Sequence, residues 1–280
     1  MKMKTNIATY CGFCSGVKNA YNKALELAKK NKPVYMLGLL VHNSLVIQKL
    51  KEMGIESVSS VSDIPVGTNG YLLISAHGVG PNIYEEAKKT GLEVIDTTCA
   101  WVKKAQTLAK ELNDSGYCVF IVGDKNHTEV KGIKAWTNDN AIIIENSVEA
   151  QNIAPQKKIG IVAQTTQSAD KFDSIVKILG KKTDEIKVHN TICNATSKMQ
   201  SSAMELTRSS DIIIVIGDQK SANTKRLKEL CSQAGVETYQ IHDSKELNKS
   251  WLKNKNNVGI TAGASTPQWV IDEVVNKITS

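Results

Sequence analysis

Three cysteines recur on one spacing. Cys14, Cys99 and Cys193 each open a segment of helical periodicity, and each is followed 24 residues later by a glycine: Gly38, Gly123 and Gly217. Four residues beyond those glycines stand His42, His127 and Ser221. A cysteine at the N-terminus of a helix is stabilised as its thiolate. Three thiolates drawn together need a cation to offset their charge. Zinc completed by a histidine is one option, and an iron–sulfur cluster is the other. The clustered C-x-x-C-x-x-C run is missing, so cluster ligands would come from distant segments. A [4Fe-4S] cluster held by three cysteines keeps one iron open, able to bind a substrate oxygen as a Lewis acid and to deliver electrons.

The same offsets gather polar residues. "VHNS", "NHTE" and "KSANT" offer His42, Asn43, His127, Glu129, Ser221 and Asn223, while "SAHG", "QTTQS" and "GAST" add His77, Thr165, Thr166 and Ser265. Such groups near helix N-termini suit an oxyanion or phosphate. Taken singly, the serines and threonines could serve only as helix caps. Glu129 is the one carboxylate among these residues. Desolvated in a closed pocket, it would hold its proton to higher pH and deliver it as a general acid. Exposed, it would do no more than interact with a helix dipole.

The other cysteines lack counterparts. Cys11 and Cys14 form a C-x-x-C, which raises a redox dithiol or half a zinc site, but only Cys14 recurs. Cys118 lies in the strand-like "YCVFIVG" and Cys231 in the helical "RLKELCSQAG", both read as structural thiols.

The elements that position these residues repeat too. Val17, Ala20, Tyr21, Ala24 and Ala28 mark a helix after the first cysteine. Val102, Ala105, Ala109 and Leu112 do so after the second, and Ala195, Met199, Ala203 and Leu206 after the third. A short apolar strand ends at each glycine. A second strand follows in "YLLISAHGVG", "KIGIVAQTTQ" and "NVGITAGAST", and a third leads into each cysteine in "IATYCGFC", "EVIDTTC" and "IKVHNTIC". The last unit ends without such a strand, and the N-terminal one belongs to no earlier unit. The pattern predicts an α/β protein of three pseudo-symmetric units, 14–97, 98–192, and 193–280 plus 1–13, closed as a ring with mostly parallel sheets.

Composition bounds the class. The 280 residues are 41% hydrophobic and 22% charged, as in soluble globular chains rather than disordered ones. "MKMKTNIATYCG" has no apolar run of signal-peptide length, and "DIIIVIG" is far too short for a membrane span. A cytoplasmic protein is expected. The net charge of +7 comes from scattered lysines, which argues for a solvated surface rather than nucleic-acid binding.

Nine ordered motifs, "GFCSGV", "VHN", "SAHGV", "DTTCAWV", "NHTEV", "AQTT", "TICNAT", "SANTKRL" and "TAGAST", resemble those of the 4-hydroxy-3-methylbut-2-enyl diphosphate reductase (LytB/IspH) family across nearly the whole chain. The resemblance implies a trefoil of three α/β domains around a central iron–sulfur cluster. It also implies the last step of the non-mevalonate isoprenoid pathway, reductive removal of an allylic hydroxyl to give isopentenyl and dimethylallyl diphosphate. By motif, Cys14, Cys99 and Cys193 would hold the cluster. His42, His77, His127, Ser221, Asn223 and Ser265 would bind the diphosphate. Thr165 would orient the substrate hydroxyl, and Glu129 would supply its proton.

Three positions depart from the family pattern: Ala100 where proline is common, Ala222 where a second serine is common, and Cys11. No G-x-G-x-x-G follows a strand, so electrons would come from a separate carrier, a ferredoxin or flavodoxin. Two alternatives stay open at this stage: an iron–sulfur dehydratase with no net reduction, and a zinc or metal-free phosphate-ligand binding protein.

Overall fold

The computed structural model describes residues 3–280. The chain begins with β1 (Lys4–Ile7), which leads to Cys14 and α1 (Ser15–Ala28). It continues through β2 (Val34–Leu37), α2 (Ser44–Glu52), β3 (Ile55–Val58), β4 (Tyr71–Ile74), α3 (Pro81–Thr90) and β5 (Glu93–Asp96) to Cys99. Next come α4 (Ala100–Asp114), β6 (Cys118–Val122), α5 (Thr128–Ala135), β7 (Ile142–Ile144), α6 (Ser147–Gln151), β8 (Gln156–Ala163), α7 (Ala169–Leu179) and β9 (Thr183–Val188). After Cys193 follow α8 (Asn194–Thr207), β10 (Ile212–Ile216), α9 (Ala222–Gln233), β11 (Glu237–Ile241), β12 (Asn257–Ala262) and α10 (Gln268–Thr279).

The strands form three four-stranded sheets, β1-β12-β10-β11, β3-β2-β4-β5 and β7-β6-β8-β9, parallel throughout. Strand–helix alternation requires this, because parallel neighbours need a crossover and the helix supplies it. The central strands are buried on both faces: all five residues of β10, "IIIVI", are inaccessible to solvent. A strand covered by helices on both sides reads as a continuous apolar run rather than an alternating one. Each such side chain contributes roughly 1.5–3 kcal/mol of burial free energy. The N-terminal strand pairs with β12, from Lys4 opposite Asn257 to Ile7 opposite Ile260.

By compactness the described residues fall into two units. One comprises 3–18, Val41–Ile47 and Asn194–Ser280, and the other Asn19–Leu40 and Gln48–Cys193. The first holds the β1-β12-β10-β11 sheet, and the second holds the other two. Within the second unit, α4 lies on β8 at a glycine. A Cβ on Gly160 would come within 2.8 Å of the Leu112 methyls, so this close approach admits no side chain. Phe120 and Phe172 fill the core on the other side of that sheet.

The three helices that open at cysteines have the predicted buried faces in large part: Ala20 and Ala24; Val102, Ala105, Ala109 and Leu112; Met199, Ala203 and Leu206. The fourth strand of each sheet, β3, β7 or β11, was not legible as part of the repeat. These strands are short and weakly patterned, but they play one common part. Gly38, Gly123 and Gly217 donate their amides to the carbonyls of Val58, Ile144 and Ile241, the last residues of those three strands. Among the described residues no helix is long and apolar enough to cross a membrane.

Candidate active site

The cysteine repeat has a hydrogen-bond basis. The amide of Cys99 donates to Ala76 O at 3.0 Å, that of Cys193 to Thr165 O at 2.9 Å, and that of Cys14 to Ala264 O at 3.2 Å. Each cysteine directly precedes its helix and is tied to the loop after the sheet's second strand. The strand registers agree, since Ile74, Ala163 and Ala262 pair with Leu37, Val122 and Ile216. Ala76, Thr165 and Ala264 therefore share one position, and His77, Thr166 and Ser265 share the next. The sequence offers both Thr165 and Thr166 beside His77 and Ser265; the ladder makes Thr166 the equivalent residue.

In the larger unit, Glu129 is 2% exposed in the first turn of α5. Its Oε1 accepts the Thr165 amide at 2.6 Å, and its Oε2 accepts the Thr165 hydroxyl at 2.9 Å. Burial pushes the Glu129 carboxyl up to about 7, against the pull of those two hydrogen bonds. It is thus the desolvated acid and not the exposed first-turn glutamate. His127 caps α5, its Nδ1 accepting the Glu129 amide at 3.2 Å. That bond assigns the ring proton to Nε2. The His77 ring meets His127 edge-on, with centroids 5.5 Å apart, and its Nδ1 lies 3.4 Å from Ser75 Oγ.

Cys99 and Cys193 belong to the same unit and are half-buried cysteines outside any disulfide. Burial raises the Cys99 pKa, the amides of Trp101 and Val102 at the start of α4 pull it down, and Cys193 and Glu129 push it up again. The nearby Cys193 and Glu129 thus oppose ionisation of Cys99 until a cation offsets their charge.

In the smaller unit, Cys14 is likewise half-buried and outside any disulfide. Ser221 caps α9 by accepting the Thr224 amide at 3.3 Å. Ser265 Oγ lies 3.1 Å from the His42 carbonyl, to which it donates, and 3.3 Å from Ser221 Oγ. Asn223 is 3% exposed, with Nδ2 against Met199 Sδ at 3.7 Å and Oδ1 without a partner. Burial lowers the His42 pKa, while Asp218 works to raise it and Lys220 and Lys225 to lower it. The cap of α2 is Asn43, whose Oδ1 accepts the Val46 amide at 3.2 Å, so His42 stands one residue outside the cap.

The remaining cysteines are outside any disulfide as well. Cys231 is fully buried, with its thiol directed at Ala203 O and pushed up to about 11 by burial. Cys118 packs on the core around Phe120, and Cys11 lies against the apolar clusters of the smaller unit; burial raises both thiols. Sequence patterning missed Asp218 and His242. One signal was present, a carboxylate directly after the repeat glycine Gly217.

The chain is 43% identical to a 4-hydroxy-3-methylbut-2-enyl diphosphate reductase of Geobacter metallireducens, over 99% of this chain and 97% of the relative. A reductase of the same name from Geobacter sulfurreducens is 44% identical with the same coverage. The solved E-1-hydroxy-2-methyl-but-2-enyl-4-diphosphate reductase of Plasmodium falciparum matches with a TM-score of 0.94 at 31% identity, covering 100% of this chain and 89% of that one. A second solved structure, described as the terminal enzyme of the non-mevalonate pathway, has a TM-score of 0.72 at 38% identity, with 99% of each chain covered. The LytB protein family model matches residues 6–279, and the chain belongs to that family.

Proposed function

We propose that this chain is a 4-hydroxy-3-methylbut-2-enyl diphosphate reductase, removing the allylic hydroxyl as water with two electrons and two protons to give isopentenyl and dimethylallyl diphosphate. The observation that carries the reading is Glu129, sealed from solvent, with a pKa of about 7 and both oxygens on Thr165. A carboxyl in this state is half protonated near neutrality, the condition for a general acid.

The donor set fits an iron–sulfur cluster. Three cysteines outside any disulfide sit at equivalent positions, each anchored through its own amide and each at the start of a helix. Cys14, Cys99 and Cys193 would hold a [4Fe-4S] cluster, which when bound supplies single electrons and a Lewis-acidic iron. The diphosphate would be taken by His42, His77, His127, Ser221, Asn223 and Ser265. His127 contributes the Nε2–H, Ser221 its free hydroxyl proton, and Asn223 an amide donor after a half-turn of its side chain.

The proton path follows from the Glu129–Thr165 pair. The Thr165 amide holds Oε1, so the acidic proton belongs on Oε2, facing the Thr165 hydroxyl. Glu129 hands this proton to Thr165 Oγ, and Thr165 passes its own to the substrate hydroxyl or to a relay water. The hydroxyl then leaves as water. The remaining three-carbon fragment takes two electrons and a proton at either end, so one site yields two products. A cytoplasmic protein fed by a ferredoxin or flavodoxin completes the reading, and the repeat boundaries 14–97, 98–192, and 193–280 plus 1–13 remain its domain division.

Anaerobic purification, a visible spectrum and an assay with a reduced one-electron dye test this. Brown protein that consumes reductant in step with product supports it. Colourless zinc protein, or turnover without consumption of reductant, overturns it.

A further inference from the structure

Three residues of the smaller unit, Ser44, Asp218 and His242, lie beyond the groups assigned above. Ser44 is the first residue of α2, directly after His42 and Asn43. Its amide donates to Asp218 Oδ2 at 3.1 Å, and its Oγ lies 2.8 Å from His242 Nε2. Asp218 follows Gly217 at the end of β10. Its Oδ1 accepts the Lys220 amide at 2.8 Å, and its carbonyl accepts the Ser221 amide at 3.0 Å. His242 follows β11, and its amide donates to Glu246 Oε2 at 2.7 Å. The His242 Nδ1 stands 3.9 Å from Asp218 Oδ2 and has no hydrogen-bond partner.

The residue types are those of a hydrolytic triad, but the geometry is not. The Asp218 oxygens are occupied by the amides of Ser44 and Lys220, and 3.9 Å exceeds a hydrogen bond to the imidazole. The arrangement is a clasp. Asp218 grips the main chain of Ser44 and reaches its side chain as well, and His242 grips the same side chain. The clasp joins two turns, one carrying His42 and the other carrying Ser221. Those same turns meet again through Ser265, which reaches both the His42 carbonyl and Ser221 Oγ. The Asp218 charge also favours the cationic form of His42.

We propose that Ser44, Asp218 and His242 are positioning residues for the diphosphate site, holding the His42 turn in register with the Ser221 turn. The inference rests on the proposed reductase reading, which assigns His42, Ser221 and Ser265 to the diphosphate. A loose His42 turn would bind substrate poorly, yet would leave Glu129, Thr165, Cys99 and Cys193 as they are, since these belong to the other unit.

The test uses anaerobic full-length holoenzyme. Ser44→Ala, His242→Leu and Asp218→Asn are compared for KM and kcat, and for calorimetric binding of inorganic diphosphate, which needs no turnover. Asp218→Asn sets an NH2 against one of two amide donors, so it breaks one grip. The expected result is a KM raised up to about tenfold and a weakened diphosphate Kd, the scale of one lost hydrogen bond, with kcat held. Ser44→Ala and His242→Leu share the loss of the Ser44–His242 bond, so their double variant costs less than the sum of the two. Ser44→Thr, which keeps the hydroxyl, restores affinity. Unchanged KM and Kd in all three variants, a fall in kcat with KM unchanged, or loss of affinity that Ser44→Thr does not restore overturns the clasp. A wild-type protein without reductase turnover overturns instead the reading beneath it.

Discussion

Glu129→Gln separates proton delivery from everything else the site does. The Thr165 amide donates to Oε1 and its hydroxyl lies on Oε2. In the variant, the glutamine oxygen can accept the amide while its NH2 donates to Thr165 Oγ, whose proton turns away. Both contacts survive, so folding and iron content are expected to survive as well. What disappears is the titrating proton. Removing a general acid costs about 10²–10⁴-fold in rate, and hydroxide is a poor enough leaving group to expect the upper end. The pH dependence sharpens the claim. With a pKa of about 7, the acid form falls roughly tenfold for each pH unit above neutrality, and the wild-type rate should fall with it. The variant should lose that limb.

Stability gives a second readout of the same group. Burial raises this carboxyl above its unfolded value, so its contribution is fully present below the unfolded pKa of 4.5 and is lost as pH rises through about 7. The full swing is about 3 kcal/mol at 1.36 kcal/mol per pKa unit. The wild-type Tm should therefore decline between pH 5 and 8 by more than that of Glu129→Gln. The kinetic assay pairs substrate affinity with single-turnover reduction across that range. Near-normal turnover would place the acid elsewhere. Slow turnover with the wild-type pH limb intact would show that another group titrates. Lost affinity with intact chemistry would put Glu129 in the binding shell.

Serine at Cys14, Cys99 or Cys193 should each remove most of the iron and visible absorption, because hydroxyls bind iron far more weakly than thiolates; iron assay and spectra decide this, and Cys99→Ser retaining its cluster would break the repeat argument. Serine at Cys118 or Cys231 should leave both signals in place. Cys11→Ser should keep iron content and turnover, since a fourth thiolate would occupy the iron meant for substrate; a Cys11→Ser protein that assembles no cluster contradicts this. Thr165→Val removes a hydrogen bond that lowers the Glu129 pKa, so the surviving activity should be slower with its limb moved to higher pH, and Thr165→Ser should restore both. Phe172→Ala, at a site 1% exposed, should cost about 3–5 kcal/mol in denaturant unfolding without changing the cluster spectrum.

Much of the frame is local and was therefore legible. The cysteine-to-glycine interval is set by one helix, one turn and one strand, each with its own period, so three copies stand out by spacing alone. The helix-start position of the three cysteines follows from the same local pattern, as does the gathering of His127, Ser221 and Asn43 at helix starts. Fold class followed once strand and helix alternated. The residues that do chemistry depend on partners far away in the chain, and these only packing selects. Glu129 and Thr165 are 36 residues apart, and nothing local shows that the carboxyl is sealed from water. Thr165 could be set beside His77 by eye, but only the parallel register shows that Thr166 is the equivalent residue. Ser44 meets Asp218 and His242 across 174 and 198 residues. Sequence period determines which face a side chain takes; the partner it finds, and so whether a proton stays on it, is decided by strand register and desolvation, which exist only in the assembled fold.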